Sequence, residues 1–221
     1  MKTTLITKHL SKDSLLREQL LKEGIELIER PFIFTSPISS IPEWPQAQWV
    51  FFSSPKGAEI SIKLGLDLSK YRIAALGEGT AKSLPQTVKP EFVGHSTDTR
   101  AVAEDFLKVV GSDSVLFPLS DRSLKNVSSI FPDHQKIEVQ CYHTTTVAMD
   151  CPKTDVIIFS SPSNVEGFLL KNKISPQQKV ITFGPSTALY CAEHQIEVSE
   201  SLENTQDSTL LTTILKWISR S

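Results

Sequence analysis

The chain repeats itself once, at the length of a domain. VFFSSPKGAE at Val50–Glu59 returns as IIFSSPSNVE at Ile157–Glu166, and IAALGEGTA at Ile73–Ala81 returns at the same offset of 107 positions as VITFGPSTA at Val180–Ala188. TDTRAVAEDFLK (Thr97–Lys108) returns one position later still as TQDSTLLTTILK (Thr205–Lys216). Solenoid units recur every few tens of residues, so a period this long marks whole domains. The 221 residues therefore divide into two similar units rather than forming one large domain. With 39% hydrophobic residues, each unit has enough apolar side chains for its own core.

Short β-prone runs alternate with helical patterns, which predicts βα units and parallel sheets. The expected strands are Thr4–Thr7, Ile25–Glu29, Trp49–Ser53, Arg72–Leu76, Glu91–Val93, Ser114–Pro118, Ile137–Tyr142, Asp155–Ser160, Lys179–Phe183 and Glu197–Ser199. Helical spacing is clearest in Ser11–Lys22, Thr99–Val110 and Ser208–Ile218, and Gly24 supplies a natural stop after the first.

The two copies are unequal. After its third helix the first copy continues through Ser112–Thr145, whereas the second ends at Ser221. The N-terminal Thr4–Pro31 has the strand–helix–strand plan of Val115–His143, with Leu5, Ile25 and Glu26 matching Leu116, Ile137 and Glu138. It can complete the second copy. The predicted fold is α/β: two flavodoxin-like, doubly wound parallel-sheet domains, one of residues 1–34 plus 148–221 and one inserted at 37–145. The two crossings, near Phe32–Pro37 and His143–Pro152, are β-prone and predict a two-stranded β hinge, with a ligand cleft between the domains.

In both copies a strand runs into Ser-Ser-Pro. Ser54 and Ser161 stand as helix N-caps, and Pro55 and Pro162 fill the first helical position, where a missing N–H costs nothing. A helix N-terminus carries about half a positive charge and attracts carboxylate or phosphate. Ser163 belongs to the same edge. The second repeated edge, Gly77–Ala81 and Gly184–Ala188, places Thr80 and Thr187 where a hydroxyl can cap the helix or donate to a ligand. Any one of these residues, taken alone, reads better as a plain cap, since capping is so common. Four of them at the carboxyl ends of strands, where α/β sheets bind ligands, predict an anion site. Lys179 lies beside these repeated segments in sequence and could draw carboxylates.

Other classes are disfavoured. A net charge of −2 gives no basic field for nucleic acid or anionic membrane. No apolar run approaches the roughly 20 residues of a bilayer span, and the N-terminus lacks a signal-peptide core. Cys141, Cys151 and Cys191 are odd in number and lack CxxC spacing, which predicts free thiols, no metal and a cytoplasmic protein. The five histidines show no metal-ligand spacing. GxGxxG, the phosphate-binding P-loop and G-x-S-x-G are all absent, so neither a nucleotide nor a serine hydrolase is indicated.

The paired F-S-S-P-x-[GN] and G-x-x-T-A edges, the split first domain and the run IEVQCYHT (Ile137–Thr144) resemble the uroporphyrinogen-III synthase family over nearly the whole chain. The resemblance implies a cofactor-independent hydro-lyase of tetrapyrrole biosynthesis. It would cyclise hydroxymethylbilane, a linear polycarboxylate, to uroporphyrinogen III with loss of water and inversion of the last ring. The family's conserved tyrosine falls on Tyr142, implied to protonate the departing hydroxyl. A family arginine after the first strand is replaced by Lys8, and the arginine edge after the inserted domain's fourth strand shifts to Arg122; both are implied to bind substrate. The sequence offers no oligomer signal, so a monomer is the default expectation, and channelling of substrate from hydroxymethylbilane synthase is a further one. A non-catalytic two-domain clamp for a polycarboxylate shares the fold and the edges, and is the alternative.

Overall fold

The computed structural model describes residues 1–202 and 204–219. In chain order the elements are β1 (Lys2–Ile6), α1 (Leu16–Lys22), β2 (Ile25–Glu29), β3 (Ile33–Pro37), β4 (Trp49–Phe52), α2 (Pro55–Lys63), β5 (Arg72–Ala75), α3 (Glu78–Ala81), β6 (Phe92–Val93) and α4 (Thr99–Val110). There follow β7 (Val115–Ser120), β8 (Lys136–Thr146), β9 (Val156–Phe159), α5 (Pro162–Leu169), β10 (Lys179–Phe183), α6 (Pro185–Glu193), β11 (Glu200–Leu202) and α7 (Asp207–Ile218). The repeat is thus β4-α2-β5-α3-β6-α4 against β9-α5-β10-α6-β11-α7. No described helix is long and apolar enough to cross a membrane.

The chain divides into two compact units, one of Met1–Phe34 with Thr145 onward and the other of Thr35–Thr144. The discontinuous unit holds a five-stranded sheet in the order β11-β10-β9-β1-β2. Its strands pair in parallel, and β1 lies between β9 and β2, so the N-terminal segment completes the sheet begun by the second copy. Successive residues face opposite sides. Ile158 and Ile181 pack with Leu210 and Ile214 of α7, whereas Ile157, Phe159 and Val180 pack with Val165 and Phe168 of α5.

The continuous unit has the order β3-β8-β7-β4-β5-β6. The same alternation puts Trp49 and Phe51 against Phe106 of α4, and Val50 and Phe52 against Ala58 of α2. With both faces covered, all four residues of β4 are buried, as parallel central strands require. β3 joins the outer edge beside β8, where the Ile38 N–H donates to the Cys141 carbonyl at 3.0 Å.

Three expectations are corrected. The first helix starts at Leu16, because Asp207 draws the Ser14 hydroxyl (2.7 Å) and the Leu15 N–H (3.0 Å) into a turn before it. The last strand is Glu200–Leu202 rather than 197–199, since Ile181 pairs with Glu200. Between β7 and β8 there is only a 3-10 turn, Ser128–Ile130, where the N-terminal match had suggested an α-helix. Ser128 donates to Glu138 there at 2.6 Å, and Pro132 stands two residues after the turn.

Candidate active site

The Ser-Ser-Pro segments adopt the cap geometry expected of them. Ser54 is extended and its Oγ accepts the Gly57 N–H at 2.9 Å, with Pro55 opening α2. Ser161 is likewise extended, and its Oγ accepts the Asn164 N–H at 3.3 Å, with Pro162 opening α5. The copies then diverge at one helix position. In the continuous unit it is Gly57, and the Tyr142 ring lies against it: a Cβ there would sit 3.6 Å from Tyr142 Cε1. In the discontinuous unit it is Asn164, whose Nδ2 donates to Ser161 Oγ at 3.0 Å and to Ser160 Oγ at 3.3 Å.

Tyr142 is 8% exposed, and its hydroxyl lies 3.2 Å from Ser54 Oγ. Burial pushes its pKa up, hydrogen bonding with the Ser54 and Ser120 hydroxyls pulls the other way, and burial wins. The phenol is therefore held in its protonated, acid form. A β-bulge aims it. From Val115↔Lys136 to Leu119↔Gln140 the strands β7 and β8 pair in step, and then Ser120 pairs with Tyr142. Cys141 is the extra residue, so consecutive Cys141 and Tyr142 both pack with Ile60 of α2. Just beyond, Asp121 accepts the Thr144 N–H at 2.9 Å and faces His143 Nδ1 at 3.0 Å. Sequence reasoning passed over Ser120 and the bulge; nothing local to either strand announces a shift in their pairing.

In the discontinuous unit, Thr7, Ser160 and Asn164 form the matching edge. The Ser160 N–H donates to Thr7 Oγ1 at 2.9 Å, and its hydroxyl donates to the Thr7 carbonyl at 3.0 Å. The Phe32 N–H donates to Asn164 Oδ1 at 2.8 Å. Ser163, the second residue of α5, is half-buried. Lys8 follows β1 at the same carboxyl edge, its Nζ 4.8 Å from the centroid of the Phe183 ring. Burial lowers its pKa, and the Asp207 charge opposes that. The loop is fastened by Glu29, which accepts the Leu10 N–H at 2.8 Å and pairs with Arg17.

The remaining candidates separate. Thr80 is buried in α3, a single turn of four residues that offers little helix dipole. Gly77 is extended there (φ −171°), so that turn does not require glycine; Gly184, at φ +76°, does. Thr187 is 1% exposed and gives its proton to the Phe183 carbonyl at 3.2 Å. Lys179 is corrected. It is the first residue of β10, at the amino edge of the sheet, with its Nζ 5.9 Å from the Trp217 ring centroid. Arg122 is exposed in the turn after β7, where its backbone N–H helps hold the Asp121 carboxyl below its ordinary range. Among the described residues, no three His, Cys, Asp or Glu side chains cluster as a metal site would need.

The family model HEM4, described as uroporphyrinogen-III synthase HemD, matches residues 14–211. Among solved structures, uroporphyrinogen-III synthetase from Helicobacter pylori is similar with a TM-score of 0.67 and 16% identity, over 98% of this chain and 100% of that one. A mutant uroporphyrinogen III synthase from Thermus thermophilus gives 0.60 and 14%, over 100% of both chains. No curated protein matches by sequence. The two structures share the mixed α/β fold with parallel sheets, and the family model spans most of the chain. On that match, this chain belongs to the uroporphyrinogen-III synthase HemD family.

Proposed function

We propose that this protein is a uroporphyrinogen-III synthase, closing hydroxymethylbilane to uroporphyrinogen III with loss of water and inversion of the last ring. The observation that carries the reading beyond family membership is Tyr142: a buried phenol, kept protonated, at the carboxyl edge of a parallel sheet and against a helix N-terminus. Such a group can give its proton to the departing hydroxyl, which leaves as water and turns the first ring, which carried it, into an azafulvene cation. The last ring then attacks through its substituted carbon, and the spiro intermediate fragments and recloses. The proton lost on rearomatisation can return to the phenolate. The cation needs little further help, so holding the chain folded is the larger task.

In the same reading, Ser54, Ser161, Ser163, Thr80, Lys8 and Arg122 receive the substrate's carboxylates and pyrroles. Thr187 and Lys179 leave the set for the geometric reasons given above. The protein acts as a cytoplasmic monomer that takes its substrate from hydroxymethylbilane synthase, and co-sedimentation with that enzyme tests the transfer. The decisive assay generates hydroxymethylbilane from porphobilinogen with a deaminase, adds this protein, oxidises the products and separates the uroporphyrin isomers. Predominantly isomer III is expected. Isomer I alone, from folded protein, would sink the reading in favour of a polycarboxylate-binding clamp.

A further inference from the structure

We propose that Gly57 is a positioning residue of the reaction: by carrying no side chain, it leaves the place beside the Ser54 oxygen to the Tyr142 hydroxyl. This rests on the reading of Tyr142 as the acid.

The two copies share a cap and differ by one side chain. Ser54 (φ −157°, ψ 153°) and Ser161 (φ −166°, ψ 159°) are both extended, and proline fills the first helical position after each. Each serine oxygen accepts the N–H of the residue three positions on, Gly57 in α2 and Asn164 in α5. In α5 the side chain of that residue also turns back, and Asn164 Nδ2 donates to Ser161 Oγ at 3.0 Å. In α2 there is no side chain to do so. The group beside the serine oxygen is instead the Tyr142 hydroxyl, at 3.2 Å, whichever of the two oxygens donates. Amide and phenol thus hold equivalent places, each within hydrogen-bond reach of a capping serine.

The ring fills that place closely. A Cβ on residue 57 would lie 3.0 Å from Ser54 Oγ, 3.6 Å from Tyr142 Cε1 and 3.7 Å from the Tyr142 hydroxyl oxygen. A methyl group nearly fits, but a longer side chain turning back to the serine, as that of Asn164 does, runs into the phenol. Ile60, three residues on and so on the same helix face, packs against Tyr142 from the next turn. The backbone does not ask for glycine here: its φ is not positive, unlike that of Gly24, Gly65, Gly111 and Gly184. Glycine is a poor helix former, so α2 gives up some stability of its own at this position. What the missing side chain provides is room for the ring.

Gly57→Asn tests this, because Asn164 shows that the same cap accepts asparagine. The three tyrosines are replaced by meta-fluorotyrosine and followed by fluorine NMR, with Tyr142→Phe identifying the Tyr142 resonance. Circular dichroism confirms the fold of each variant. Gly57→Asn should shift the Tyr142 resonance and leave those of Tyr71 and Tyr190 in place. Its kcat for isomer III should fall between about tenfold and a hundredfold with KM little changed, the loss expected of an acid moved from its position. Gly57→Ala, whose Cβ stops short of the ring, should lose no more than about threefold. An unmoved Tyr142 resonance in Gly57→Asn overturns the proposal, even in a protein that makes isomer III through Tyr142. An Ala variant as damaged as the Asn variant overturns it too. A shifted resonance with an undiminished rate overturns the acid reading on which it rests. Should Gly57→Asn fail to fold, Gly57→Ser, whose hydroxyl starts from the same Cβ, is read by the same two measurements.

Discussion

Asn164 holds the edge of the discontinuous unit through its acceptor more than through its donors, and Asn164→Ala separates the two. The residue is 3% exposed. Its Oδ1 takes the N–H of Phe32, itself 0% exposed, and with alanine that N–H has no partner. An orphaned buried donor costs about 1–3 kcal/mol. The donors matter less. Without Nδ2, Ser160 Oγ still bonds the Thr7 carbonyl, and Ser161 Oγ still takes the backbone N–H of residue 164. We therefore expect a loss of about 2–3 kcal/mol. For a chain of this size that is a fall in Tm of roughly 5–10 °C. Urea denaturation, analysed with its m-value, and a thermal melt measure it. Ser163→Ala, one position earlier, strands no backbone group and should stay within about 0.5 kcal/mol. A cost below about 1 kcal/mol for Asn164→Ala, or an equal cost for Ser163→Ala, would refute the reasoning.

Three further outcomes are expected. Tyr142→Phe should cut the rate of isomer III formation by about a hundredfold, the low end of what a positioned acid supplies, with KM nearly unchanged; an undiminished rate removes Tyr142 from the mechanism. Thr80→Ala should cost no more than about 1–2 kcal/mol in kcat/KM, since one hydroxyl among many partners is lost; near-total inactivity of folded protein would contradict that. Burial alone would raise the pKa of Glu29, but the bonds from Arg17 and Leu10 win and hold it below its ordinary 4.5. A depressed carboxylate adds stability that is present above the unfolded-state value and fades as pH falls through the folded one. Urea midpoints of Glu29→Gln should therefore fall less than those of the parent on acidification below about pH 4.5, and an equal fall would count against the pairing.

The fold was legible where the chemistry is local. Ser54-Pro55 and Ser161-Pro162 announce a cap and a first turn within two residues, and Trp49–Phe52 is an unbroken apolar run, as a strand buried on both faces requires. The repeat then carried each reading from one copy to the other. What stayed hidden depends on partners distant in the chain. The late start of α1 comes from Asp207, nearly two hundred positions on. The aim of Tyr142 comes from a slip between β7 and β8, and neither strand's own sequence records it. Thr187 looked like a donor until its helix brought it back to the Phe183 carbonyl. Lys179 is a different case. As the first residue of an expected strand it already stood at the amino end, away from the edge it was assigned to.

The strand order also sets a timetable for folding. β1 lies inside its sheet, yet its partner β9 follows more than 150 positions later. During synthesis the continuous unit, Thr35–Thr144, is complete before β9 has been made. Throughout that interval β1 and β2 are an orphan pair with one side of β1 unsatisfied, an open template for mispairing with other chains. Lys2 and Lys8 near the ends of β1 place charge beside that edge while it waits. The long closure between β1 and β9 makes the discontinuous unit the slower to form. The chain's own capacity to aggregate is therefore concentrated in its first thirty residues, before any substrate is in question.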